Sequence, residues 1–385
     1  MDFELSEEQK IVQEQARRFA ENEIRPTVQE DEKNHYFRRE LLEKMGNLGF
    51  FGCCIPEKYG GNEMGFLESV LITEQIARVS PSWRVIINMQ NIGTAITVNQ
   101  FGTEEQKKNL IPGWVQGAKV GFFAITEPNA GSDVASMGTT AKDKGDHWEL
   151  NGQKIWISYA PVGDVGLVFA YTDKKLKYKG MTCFIVDLKN TPGITTHAIE
   201  TKLGLHCSPT GEIIFDGAAI PKNAVLGRVG EGFKICMWML NNTRLSCAAG
   251  ALGIGGACVD LAIQYANERT QFGEPVSKFQ MIQAQIAEMV ADHHAAQMLV
   301  YRAACLKDQG KPNQLETSVA KLFASEAAVK AANEAMKIFG SYGFSTEYPI
   351  ERYYRDAKST QIVEGTSNIQ KLIIAGIACG HRPNR

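Results

Sequence analysis

Nine cysteines stand scattered at positions 53, 54, 183, 207, 236, 247, 258, 305 and 379, and no two of them form a Cys-x-x-Cys pair. Neither a zinc ribbon nor a thioredoxin-like redox motif is signalled, and no metal site is expected. An odd count without a secretory leader predicts buried free thiols in a reducing compartment. No apolar run reaches the ~18 residues that would suggest a membrane span. The start, Met1-Asp2-Phe3-Glu4-Leu5, is acidic and unlike a secretory or mitochondrial leader. A soluble intracellular protein is expected, in a bacterial cytoplasm or, as a mature form, in a mitochondrial matrix. Surplus basic charge is missing too: 41 Lys and Arg face 43 Asp and Glu, a formal charge of −2. That balance gives no electrostatic case for nucleic acid. No G-x-G-x-x-G follows a strand, so a Rossmann nucleotide site is not expected, and no repeat or low-complexity tract is evident.

What is present is 44% hydrophobic content over 385 residues, enough for two or three packed units. Residues 1–118 read as helical. Ser6-Glu7-Glu8-Gln9 has capping-box spacing, and Ile11, Val12, Ala16, Phe19, Ala20 and Ile24 form one apolar stripe ended by Pro26. Leu41–Leu48 and Phe66–Ala77 continue the pattern. Residues 119–228 change to short β-rich runs, at Val120–Thr126, Trp148–Leu150, Lys154–Ser158, Val165–Tyr171, Met181–Leu188 and Glu212–Phe215. Asn151-Gly152 between two such runs predicts a hairpin turn. Strands without intervening helices predict an antiparallel barrel or sandwich. Residues 229–385 return to long helices, Gly230-Glu231-Gly232 to Arg269, Phe279–Gln309, Thr317–Phe339 and one beginning near Thr366, whose small-residue faces suit a four-helix bundle. The fold class is α+β, helical, then β, then helical.

Near the C-terminus, Gln361-Ile362-Val363-Glu364-Gly365-Thr366-Ser367-Asn368-Ile369-Gln370 places a carboxylate before a glycine and a Thr-Ser helix start. Such a Glu can act as a general base while free N–H groups at the helix N-terminus hold a polarised oxygen or a phosphate. The segment resembles the active-site stretch of acyl-CoA dehydrogenases, whose glutamate removes the α-proton of a fatty-acyl thioester. Four further stretches, in the family's order, carry the resemblance. They are Phe123-Ala124-Ile125-Thr126-Glu127-Pro128-Asn129-Ala130-Gly131-Ser132-Asp133; Trp156-Ile157-Ser158; Asn241-Asn242-Thr243-Arg244 with Arg269-Thr270-Gln271-Phe272-Gly273 and Phe279-Gln280; and Lys337-Ile338-Phe339-Gly340-Ser341-Tyr342-Gly343-Phe344.

The resemblance implies the acyl-CoA dehydrogenase fold and FAD as cofactor. Phe123, Ile125, Thr126, Ser132, Trp156, Ser158, Arg269, Gln280, Lys337, Gly340, Ser341, Thr366 and Asn368 are then FAD-binding residues. Glu364 is the catalytic base. Ser132, Asn241, Thr243, Arg244, Val363 and Gly365 line the acyl-CoA. Some family members place the catalytic acid where this chain has Thr243, which strengthens Glu364. Trp156 and Ser158 would otherwise read as core and solvent faces of one strand. Lys337 and Ser341 depart from the usual Gln and Gly, although backbone contacts to the pyrophosphate survive both changes. In the family this last segment reaches the FAD of a neighbouring subunit, which implies a homotetramer, with electron-transferring flavoprotein as the acceptor.

Ser80-Pro81-Ser82-Trp83-Arg84-Val85-Ile86-Ile87-Asn88-Met89-Gln90 sets an Arg inside an otherwise apolar, helix-like stretch. A buried guanidinium needs an anionic partner, either an internal carboxylate or a carboxylate on the ligand. An Arg at this place resembles the glutaryl-CoA dehydrogenase branch. Val363, where decarboxylating members carry Tyr, resembles the kind that stops at glutaconyl-CoA. A benzylsuccinyl-CoA-type substrate and a short-chain monocarboxylic acyl-CoA remain open, as does a catalytically silent flavoprotein.

Overall fold

The computed structural model describes residues 4–381, so Met1–Phe3 of the acidic start lie outside it. The N-terminal region comprises α1 (Glu7–Phe19), α2 (Val28–Asn34), α3 (Leu41–Asn47), α4 (Phe66–Val79), α5 (Pro81–Ile87), α6 (Thr97–Phe101) and α7 (Glu104–Val115). The predicted capping box opens α1: Ser6 Oγ accepts from Gln9 N, and the Gln9 side chain accepts from Ser6 N. Ser80 caps α5, with Pro81 in its first turn. A π-helical stretch, Asn88–Ile96, then joins α5 to α6 as one rod. Residues 81–98 of that rod are buried on every face, so this helix runs through the interior.

In the middle region β1 (Phe123–Ala124), β2 (Thr140–Asp143), β3 (His147–Ser158), β4 (Val165–Tyr171), β5 (Met181–Asp187), β6 (Ile194–Ala198), β7 (Thr210–Pro221) and β8 (Val225–Leu226) form one eight-stranded sheet. Its order is β6-β7-β3-β2-β4-β5-β8, with β1 also beside β4. Most pairs are antiparallel, as expected, but β1–β4 and β2–β4 are parallel. The hairpin expected at Asn151-Gly152 does not form: β3 runs straight through it with a bulge against β7. Gly152 is there for close approach, because a Cβ would lie 2.5 Å from Thr139 Oγ1. Asn151 spends its side-chain oxygen on Gly217 N instead of a turn. The turn between β2 and β3 lies at residues 144–146.

The C-terminal region holds α8 (Gly232–Glu268), a small hairpin of β9 (Thr270–Gln271) and β10 (Glu274–Pro275), then α9 (Gln280–Asp308), α10 (Gln314–Phe339), α11 (Ile350–Thr360) and α12 (Ser367–Ala378). Helices α8, α9 and α10 pack around an Ala-rich core joined by α4, α11 and α12. Contrary to the expectation from apolar runs, α8 is long and apolar enough to cross a membrane by length and composition, with a window of mean hydropathy 1.6. Some 83% of that window is buried inside the fold, which makes α8 a core helix. All nine cysteines are free; Cys53, Cys183, Cys207, Cys236, Cys247 and Cys258 are buried, whereas Cys379 is exposed.

Two buried carboxylates tie the three regions together. Glu32 on α2 accepts from Ser82 Oγ, His206 N (3.0 Å) and Cys207 N (3.3 Å). Asp356 on α11 accepts from Leu205 N at 2.6 Å. The loop carrying residues 205–207, between β6 and β7, is thereby docked on both helical regions.

Candidate active site

The loop between α11 and α12 is set by two successive left-handed residues, Glu364 (φ +57°) and Gly365 (φ +87°). Thr366 Oγ1 caps α12 by accepting from Ile369 N at 3.3 Å. Buried side chains grip the loop's backbone. Glu364 O accepts from Arg244 Nε and Gln370 Nε2, both at 3.3 Å. Gly365 O accepts from Lys321 Nζ at 2.8 Å and Gln370 Nε2 at 3.0 Å. A strained left-handed Glu persists because the surroundings hold it there.

The Glu364 carboxylate meets donors from two distant helices. Asn88 Nδ2, at the end of α5, donates to Oε1 at 3.1 Å, and Thr243 Oγ1 on α8 donates to Oε2 at 2.5 Å. Burial pushes its pKa up; the Thr243 bond, the Arg84 and Arg244 charges and the Asn88 bond pull the other way without cancelling the rise. A base with a raised pKa accepts a carbon-bound proton more readily than an ordinary carboxylate.

Three cations stand around this carboxylate. Arg244 is 6% exposed, and burial lowers its pKa. Lys321 is fully buried, with burial again lowering its pKa. Arg84 is 2% exposed, yet its Nε has no hydrogen-bond partner and no carboxylate pairs with its guanidinium among the described residues. Gly250 on α8 makes room for it: a Cβ there would lie 2.7 Å from Arg84 Cδ and 2.8 Å from Nε.

On the sheet, Thr126 O accepts from Ile155 N at 2.9 Å, which fastens the loop after β1 onto β3. Beneath it lies a buried pair, Lys154 Nζ to Glu127 Oε1 at 2.7 Å, with Lys154 also donating to Ile125 O at 3.0 Å. In β3 it is Ile157 that is buried, whereas Trp156 is 57% exposed and adopts φ +61°. Ser158 and Thr126 are half-buried, Phe123 is half-buried against Gly93, and Ser132 lies in the exposed loop. An indole face turned outward beside hydroxyls and backbone polar groups fits a flat ring with a hydrogen-bonding edge, which is what a flavin presents. The residues present fit FAD.

The other expected FAD residues lie elsewhere. Arg269 follows the end of α8, its guanidinium 5.5 Å from the Tyr342 ring centre. Gln280 is exposed at the start of α9, and Gly340 (φ +61°) and Ser341 are exposed beyond α10. Lys337 pairs with Glu334 at 2.6 Å. From Arg244 to Arg269 the 25 residues of helix span about 38 Å at 1.5 Å each. One chain does not bring this group to Glu364. Asn241 donates to Asn313 Oδ1 at 3.1 Å while its own Oδ1 is buried without a partner; Val363 and Asn368 are exposed.

Sequence reasoning missed Asn88, Lys321, Gln370, Gly250 and the Glu127–Lys154 pair. Asn88 had a signal, since it stands one helical turn after Arg84 in a stretch already singled out. Lys321 and Gln370 had none.

Family models for the acyl-CoA dehydrogenase N-terminal, middle and C-terminal domains match residues 6–118, 122–218 and 230–378. The chain is 48% identical over 379 residues to a glutaryl-CoA dehydrogenase of Desulfococcus multivorans, covering 97% of each. A solved glutaryl-coenzyme A dehydrogenase in complex with glutaryl-CoA superposes with a TM-score of 0.97 at 46% identity, covering 100% of this chain and 98% of that one. A structure from work on the electron transferring flavoprotein of Acidaminococcus fermentans gives a TM-score of 0.96 at 42% identity, covering 98% and 99%. With a half-buried carboxylate of raised pKa on the α11–α12 loop and all three domain models met in order, the chain belongs to the acyl-CoA dehydrogenase family, and it is an FAD-dependent oxidoreductase that dehydrogenates an acyl-CoA.

Proposed function

We propose that the acyl group is dicarboxylic, that glutaryl-CoA is converted to glutaconyl-CoA with its distal carboxylate retained, and that Arg84 binds that carboxylate. The observation that carries this reading is the buried Arg84 guanidinium with no anion of its own, in the pocket of Glu364. A desolvated cation without a partner is costly, and a ligand carboxylate supplies what the protein withholds. The likeness to glutaryl-CoA dehydrogenases supports the same choice. Val363 in place of Tyr supports retention of the carboxylate.

Glu364 takes the α-proton of the thioester, held by Thr243 and Asn88, while Arg244, Lys321 and Gln370 fix its backbone. FAD, when bound, supplies the hydride acceptor for the β-hydrogen. Phe123, Ile125, Thr126, Ser132, Trp156, Ser158, Thr366 and Asn368 would hold it from this chain. Arg269, Gln280, Lys337, Gly340 and Ser341 lie too far along the bundle to join them and would serve a neighbouring chain's FAD, so the working form is a homotetramer. Ser132, Asn241, Thr243, Arg244, Val363 and Gly365 line the acyl-CoA. Electron-transferring flavoprotein is the proposed acceptor, in the cytoplasm, with domains at 1–118, 119–228 and 229–385.

The test is anaerobic bleaching of the bound flavin with glutaryl-, butyryl- and benzylsuccinyl-CoA. Glutaryl-CoA should bleach it fastest, giving glutaconyl-CoA and no carbon dioxide. Arg84→Met should lose kcat/KM on glutaryl-CoA by roughly 30-fold to several thousand-fold, the range for truncating one partner of a buried charge pair. Butyryl-CoA should lose little. Equal losses on both would make Arg84 structural, and crotonyl-CoA would overturn the claim of retention.

A further inference from the structure

Arg84 and Asn88 are four residues apart, so their side chains share one face of the rod at the junction of α5 and the π-helical stretch. The Glu364 carboxylate, when ionised, only accepts hydrogen bonds, so the Asn88 amide turns its nitrogen toward Oε1. Its Oδ1 then faces away, buried and without a partner. One turn earlier, Arg84 Nε is a buried donor also without a partner. An orphan donor and an orphan acceptor on adjacent turns complement each other, and the guanidinium has little alternative direction because it rests in the hollow left by Gly250.

We propose that Asn88 is a positioning residue that couples recognition of the distal carboxylate to the base: Arg84 Nε–H donates to Asn88 Oδ1 once a dicarboxylic acyl group draws the guanidinium into line, while Asn88 Nδ2–H holds Glu364 Oε1. The inference rests on the reading of Arg84 given above. It makes the orientation of Glu364 depend on whether the far end of the substrate is occupied. The terminal amines of Arg84 remain free to bind the carboxylate in the two-pronged manner suited to a guanidinium. A monocarboxylic acyl group leaves the Arg84–Asn88 link unmade, and Asn88 then acts on Glu364 alone.

The experiment is a double-mutant cycle of Arg84→Met and Asn88→Leu in the FAD-loaded enzyme, with glutaryl- and butyryl-CoA and a pH profile of kcat/KM for each. Asn88→Leu should lower kcat on glutaryl-CoA by about tenfold more than on butyryl-CoA, the size of one hydrogen bond to a charged group. In the Arg84→Met background that extra loss should vanish. The acid limb of the profile should move to higher pH, because the ionised form of Glu364 loses a donor. Asn88→Ser, polar but too short to bridge, repeats the test should the leucine variant fold poorly. Equal losses on both substrates with an unmoved acid limb would overturn the coupling while leaving Arg84's role intact. An Arg84→Met variant without selectivity would instead remove the substrate reading and this inference with it.

Discussion

Glu127 and Glu364 both sit among buried cations, and they differ in how completely they are satisfied. Glu127 takes Lys154 Nζ and Thr139 N on one oxygen and Gly138 N on the other. Burial raises its pKa, yet the Lys154 charge and these bonds bring it below the ordinary value. Lys154 in turn reaches the Ile125 carbonyl, and burial depresses it to about 8. Both oxygens of Glu127 and the Lys154 ammonium are thereby paired, and in that cluster it is a neutral hydroxyl, Thr139 Oγ1, that stays buried without a partner. Around Glu364 the balance is reversed: its pKa is raised, and Arg84 Nε and Asn88 Oδ1 are buried and unpaired. Saturated buried charge is framework, whereas buried charge with open valences marks the space kept for a ligand.

The strongest way to test that contrast is to remove the charge at the open site. Glu364→Gln keeps the shape and an acceptor oxygen for one of the two donors but accepts no proton, so anaerobic bleaching by an acyl-CoA should slow by roughly two to four decades. Its melting temperature should hold, because a carboxylate with a raised pKa contributes little to folding. Bleaching at the native rate would place the base elsewhere.

At the saturated site the effect should fall on stability. Lys154→Met strands Glu127 in the interior and should cost about 3–5 kcal/mol in a urea titration, together with weakened FAD retention in equilibrium dialysis. Arg84→Met, which breaks no direct ion pair, should leave the urea midpoint unchanged or raise it. Equal destabilisation by the two would erase the distinction between framework and ligand charge.

The smallest effect concerns Asp356, whose pKa burial and the neighbouring Glu32 push up to about 7. The folded state therefore keeps a proton that the unfolded chain has released, and stability should fall as pH rises from about 4 to 7. Lys202, Arg352 and Arg355 face the same cluster and temper the loss. Asp356→Asn retains the acceptor for Leu205 N and should flatten the profile, gaining on the order of 2 kcal/mol over the parent at pH 8. A parallel profile in the variant would show that another group carries the dependence.

Much of this was legible in the chain itself, for physical reasons. Capping at Ser6, the limits of β4 and the long C-terminal helices are local matters of pattern and chain stiffness, and they came out within a few residues. Asn151-Gly152 misled because the same dipeptide serves a tight turn or a close approach, and only the position of Thr139 decides which. Glu364, Thr243, Arg244 and Arg84 were all named in advance, although what unites them is tertiary. Lys321 and Gln370 stayed hidden because their work is to hold a backbone carbonyl more than forty or five positions away respectively, which leaves no imprint on local pattern. Lys154 sat in plain view on a strand, and a bulge on either side of it broke the alternation that would have marked it as inward-facing.

Gly250 carries an implication for descent. The hollow that admits Arg84 is an absence on α8, and one added methyl group would intrude on both Cδ and Nε of the arginine. On the proposed role of Arg84, a lineage would trade its acyl preference by a single nucleotide change in a codon for a residue with no side chain at all. Under that proposal, selection on the pocket would act through vacant volume as much as through charge, and a comparison of descendants that tracks only the arginine would overlook half of the inherited determinant.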